Sequence, residues 1–76
     1  MKSLDLFASG ESGIIEKISG GGKFLSRATA MGFTPEADIS VIRNGRRGPL
    51  IVKLRDTEIA IGRGEASKIE VKEAVK

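Results

Sequence analysis

Residues 19–23 read Ser-Gly-Gly-Gly-Lys and run straight into an apolar-periodic segment. Glycine amides can wrap an anion and a lysine can reach it, so the stretch invites a phosphate-binding reading. Its spacing argues otherwise. A phosphate loop needs G-x-x-x-x-G-K-[ST], in which the final hydroxyl holds magnesium. Here Lys23 is followed by Phe24, and Lys17 occupies the place of the earlier glycine. G-x-G-x-x-G fails as well, because its last position falls on Leu25. Residues 20–22 are therefore expected to form a turn that starts a helix.

The remaining candidates for chemistry are few. The chain has no cysteine and no histidine, which removes disulfides, thiolate or imidazole zinc sites, and nucleophile systems that depend on histidine. Asp56 and Glu58 are two apart, yet Arg-Asp-Thr-Glu at 55–58 reads as a tight turn with surface carboxylates. No catalytic, cofactor-binding or metal-ligating residue is assigned, and no enzyme activity is expected. Residues 43–63 carry six basic and two acidic side chains, against four and five in residues 1–42. Arg43, Arg46 and Arg47 lie in a loop punctuated by Asn44-Gly45 and Gly48-Pro49, where solvation explains them. With three phenylalanines and no tyrosine or tryptophan, stacking residues are scarce, and nucleic acid is not an expected partner.

The elements that hold these residues follow from periodicity. Strands are expected at 12–18, 37–42, 49–54, 57–62 and 68–73, where β-branched residues or strict alternation dominate. The last of these competes with a helix, since Glu, Lys and Ala favour one, but its period of two selects a strand. One helix is expected over 23–31, with Phe24, Ala28 and Met31 on a shared face. Gly32 should close it in the left-handed conformation, and Pro35 prevents its continuation. A chain of 76 residues buries only about 60% of its unfolded surface. Five short strands and one helix of this size imply a single domain over residues 1–76, mainly β, with the sheet curled into a small barrel. The broken apolar start is unlike a signal peptide, and no run spans a bilayer, so a soluble, cytoplasmic protein without membrane insertion is expected.

The order and spacing of four segments resemble the FeoA-type family, ferrous iron transport protein A, over nearly the whole chain. These are Gly-Glu-Ser-Gly-Ile-Ile-Glu-Lys-Ile at 10–18, a helix leading into Ala-Met-Gly-Phe-Thr-Pro-Glu-Ala-Asp-Ile-Ser-Val-Ile at 30–42, Gly48-Pro49 before Leu-Ile-Val-Lys-Leu, and residues 57–71. That resemblance implies a five-stranded SH3-like barrel, of the kind also found at the C-terminus of iron- and manganese-dependent repressors. Two departures stand out. Family members often carry glycine where this chain has Glu36, so the turn there is expected to be type I rather than type II. The arginine-rich loop around Asn44 also differs from the uncharged loop of many relatives.

The resemblance further implies a cytoplasmic accessory of bacterial ferrous iron uptake that acts on a membrane transporter carrying a G-protein domain. Such a protein would neither carry iron nor hydrolyse nucleotide. Two alternatives stay open: a freestanding barrel related to the repressor domains, with a metal or peptide ligand, and a small nucleic-acid-binding barrel. Partner contact is assigned to the outward side of the helix, Lys23 and Arg27, with the apolar edge of Phe24 and Ala28. Burial of Phe24 in the core competes with that assignment. Arg46 and Arg47 as an arginine finger for the partner's nucleotide rank below it, and the oligomeric state is left open.

Overall fold

Alternating apolar residues make most of the strands that their period requires. The computed structural model describes residues 1–45 and 47–74. It contains β1 (Lys2–Ser3), a 3₁₀ turn (Leu4–Leu6), β2 (Ser12–Ile18), α1 (Gly21–Ala30), β3 (Asp38–Arg43), β4 (Leu50–Leu54), β5 (Thr57–Ile61), α2 (Arg63–Ala66) and β6 (Ile69–Glu73). Leu50, Val52 and Leu54 of β4 point inward, as do Ile39 and Val41 of β3 and Ile69 and Val71 of β6. Lys53, Lys72 and Glu58 take outward places between them. Phe7, Phe33 and Leu4 fill the middle of one continuous core.

The strands form one antiparallel sheet in the order β1-β6-β2-β3-β4-β5. Extra residues bulge from β2 between Ile15 and Lys17 and from β3 between Val41 and Arg43. Such bulges bend and twist a strand, which is how so short a sheet curls. Among the described residues the expectation of five strands is corrected to six. The additional strand, β1, pairs Lys2 with Val71 and Ser3 with Glu70. Two residues show no period, so β1 was illegible until β6 supplied a partner. A second helix, the single turn α2, was likewise not expected. The competing helical reading of 68–73 is settled by pairing, since β6 hydrogen-bonds to β2 on one side and β1 on the other.

The helix end is as expected. Gly32 has φ 97°, its amide donates to Thr29 O, and the Phe33 amide donates to Ala28 O at 2.9 Å. This pair of bonds is the Schellman closure, and Phe33 then drops into the core beside Ala28. The helix starts at Gly21, two residues before the expected Lys23. The glycine turn before it packs on the start of β6: the Ser19 amide donates to Lys68 O, and the Lys68 ammonium lies 4.9 Å over the Phe24 ring.

One turn expectation is overturned. Glu36 has φ 73°, and the Ala37 amide donates to Thr34 O at 3.1 Å, so the turn at 34–37 follows the type II pattern, not type I. The reason is tertiary. Glu36 N–H donates to Ile15 O at 2.7 Å and Ile15 N–H to Ala37 O at 2.9 Å, and these bonds to β2 offset the strain of a left-handed glutamate. Asn44-Gly45, between the paired strands β3 and β4, is not a tight two-residue turn, since neither residue takes the left-handed φ that such a turn requires. Asn44 is occupied elsewhere.

Candidate functional site

Chain geometry brings α1, β5 and α2 together around a groove. The apolar face of α1 is Phe24, Ala28 and, at its end, Met31. Phe24 and Ala28 turn into the core with 8% and 3% exposure, whereas Met31 stays 48% exposed. Those residues, with Phe33, Ala60, Ile61, Arg27 and Glu65, line a depression of about 210 Å³. Its walls are mostly carbon. Arg27 Nη2 meets Glu65 Oε2 at 2.6 Å across the rim and so links α1 to α2. Lys23 stands exposed one turn earlier on the same side of the helix.

Three of the four residues assigned from the sequence therefore line one feature, and the fourth flanks it. Phe24 and Ala28 form the floor of that groove rather than a protruding edge. Met31 is expected on the same helical face but with no site role, and Ala60 and Glu65 carry no signal, because only the fold sets β5 and α2 beside α1. Asp56 lies in the two-residue turn after Leu54, and Glu58 sits on β5 opposite Lys53. Arg43 and Arg47 are exposed, while Arg46 lies outside the described residues.

A second arrangement closes the barrel. β1 and β5 end the sheet, and the 3₁₀ turn that follows β1 packs on α2, which follows β5. Asn44 ties the two together. Its Nδ2 donates to Asp5 O at 3.0 Å and Phe7 O at 2.6 Å, and its Oδ1 accepts from Arg63 Nη2 at 2.8 Å. Arg63 also donates to Gly45 O at 2.7 Å and Gly48 O at 3.2 Å. The Asn44 amide itself donates to Ser9 Oγ. The arginine-rich loop is thus held by a neighbour from α2, and a structural task absorbs its asparagine.

Beside Phe7, Lys2 bridges Glu11 and Glu73. The Ala8 amide donates to Glu11 at 2.6 Å; this bond first, and then Lys2, hold the Glu11 carboxyl below the usual carboxylate range. Among the described residues no three carboxylates gather closely enough to hold a metal ion, and no helix is long and apolar enough to cross a membrane. What the groove offers is an apolar recess with a charged rim, a geometry for holding another chain.

Residues 2–73 match the FeoA domain family. A Methanocaldococcus jannaschii protein provisionally named Fe(2+) transport protein A is 39% identical over 74 residues, which cover 97% of this chain and 89% of that protein. The crystal structure of an iron uptake regulatory protein, FeoA, superposes with a TM-score of 0.91 at 32% identity, covering 95% of this chain and 96% of that one. A manganese-dependent transcriptional repressor shares the fold over 96% of this chain and 41% of its own, with a TM-score of 0.88 at 19% identity. A Stenotrophomonas maltophilia FeoA complexed with zinc, described as an SH3 domain protein, gives 0.82 at 19% identity over 95% of this chain and 91% of its own. The SH3-like barrel expected from the resemblance is therefore the fold observed.

Proposed function

The chain belongs to the FeoA family, and from that premise we propose that it is a cytoplasmic accessory of ferrous iron uptake that binds a membrane iron transporter carrying a G-protein domain. It acts as one unit over residues 1–76 by contact, without carrying iron or turning over nucleotide. One observation carries the reading: Phe24, Arg27 and Ala28, singled out by helical position alone, line a mostly apolar groove that Lys23 flanks. Desolvated apolar recesses with a charged rim are where partner anchors bind.

Titrating the transporter's purified cytosolic part into the protein, by calorimetry, tests the reading. Replacing Lys23→Glu and Arg27→Glu together should weaken that binding by roughly tenfold or more. The fold should survive, because Lys23 is exposed and the Arg27–Glu65 bridge joins two exposed side chains, worth about 0–1 kcal/mol. Unchanged affinity would remove α1 from the interface, and absence of any binding would overturn the proposal.

A further inference from the structure

The β5 edge is built to accept a strand. It ends the sheet and pairs with β4 as Leu54↔Thr57, Val52↔Ile59 and Leu50↔Ile61. A hairpin with a two-residue turn closes on a hydrogen-bonded pair, so the polar groups of Thr57, Ile59 and Ile61 face β4 while those of Glu58 and Ala60 face away. Among the described residues no turn or loop carbonyl takes up the Glu58 or Ala60 amide. Unpaired edges invite pairing with another chain. This edge opens on the groove, where Ala60 and Ile61 face Phe24, Ala28 and Met31.

We infer that an extended segment of the partner, carrying an apolar residue and an acidic one two positions apart, adds to β5 as a further strand within this groove. The inference rests on the proposed partner-binding role and specifies how that contact is made. Side chains of an added strand alternate, so residues two apart share a face, and one enters the recess while the other reaches the charged rim along α1. The rim sets the charge. Arg27 is held by Glu65, and Glu58 lies opposite Lys53. Lys23, at the same wall, has no carboxylate within ion-pair distance among the described residues and meets the acidic residue. A second copy of the chain fits less well, since it would bring its own α1, with Lys23 and Arg27, to the wall that already holds theirs.

Amide hydrogen exchange on the isotope-labelled full chain tests this, with short overlapping peptides from the transporter's cytosolic segments as probes and the intact cytosolic part as the reference. Binding should slow exchange at Glu58 and Ala60 by roughly tenfold or more. Ala60→Arg, which fills the recess from an exposed position, should weaken binding by roughly tenfold with an unchanged melting temperature. Met31→Glu, outside the strand, should weaken it as well. Binding that leaves the Glu58 and Ala60 amides unprotected would overturn strand addition while leaving the partner role intact. No binding by either peptides or the cytosolic part would overturn both. Protection of these amides by self-association, seen in sedimentation without any probe, would replace the partner segment with a second copy and overturn the inference.

Discussion

Replacing Asn44→Ala should cost about 3 kcal/mol of stability, because it removes three hydrogen bonds that hold the barrel closed. Two run from Nδ2 to the carbonyls of Asp5 and Phe7, and the third from Arg63 to Oδ1. A neutral bond contributes about 0.5–1.5 kcal/mol net and one to a charged group about 1.5–3 kcal/mol, and the low end of each applies because all three bonds are only part-buried. The Ser9 bond is unaffected, since it uses the backbone amide. Against roughly 4–11 kcal/mol for a chain of this length, the loss is large. At about 4–8 °C per kcal/mol, the midpoint should fall by roughly 12–24 °C. Urea and thermal denaturation followed by circular dichroism measure it, with Asn44→Asp as the discriminating variant. Aspartate keeps an acceptor for Arg63 but turns a carboxylate towards the Asp5 and Phe7 carbonyls, so it should be nearly as destabilising as alanine. An aspartate variant close to wild type would show that the Arg63 bond carries the clasp. A loss below about 1 kcal/mol for alanine would refute the closure argument itself.

Gly13→Ala should destabilise by about 1–3 kcal/mol in urea titrations, because a Cβ there would run into the Lys72 carbonyl and lie 2.7 Å from Val71 Cγ1 across the β2–β6 pairing. Glu36→Gly should stabilise by up to about 1 kcal/mol, since it relieves a left-handed residue whose φ is 73°; an unchanged midpoint would show that the bonds to Ile15 leave no residual strain. Stability should also fall in acid partly through Glu11, whose carboxyl is held low by the Ala8 amide and then by Lys2. A lowered folded pKa gives a contribution fully present above the unfolded carboxylate range, near ~4.3, and lost as pH falls through the folded value. Thermal melts of Glu11→Gln should therefore show a smaller acid-side drop than wild type, and parallel curves would refute this.

Local physical chemistry made much of this protein readable from its residues. β4 and β6 announce themselves because a strand's side chains alternate by necessity, and Leu50, Val52, Leu54, Ile69 and Val71 all point inward. Gly32 was legible because helix closure needs a left-handed residue that glycine supplies most readily. The helix side carrying Lys23 and Arg27 was legible for the same reason of period. Composition bounded the chemistry, since a chain without cysteine or histidine lacks the groups that most catalytic and zinc sites require.

Contacts between distant segments decided the rest. Glu36 adopts a conformation that its own residue type disfavours because β2 presents a donor and an acceptor to the turn. Asn44-Gly45 forgoes the tight turn that it encodes locally, because Asp5, Phe7 and Arg63 converge on the asparagine side chain. Two residues of β1 and four of α2 are too short to carry a period, and exist because neighbours satisfy their backbones. The groove was invisible for the same reason: Met31, Ala60 and Glu65 become one surface only when the sheet curls and sets β5 and α2 beside α1. Periodicity is a property of neighbours along the chain, whereas a site is a property of neighbours in space.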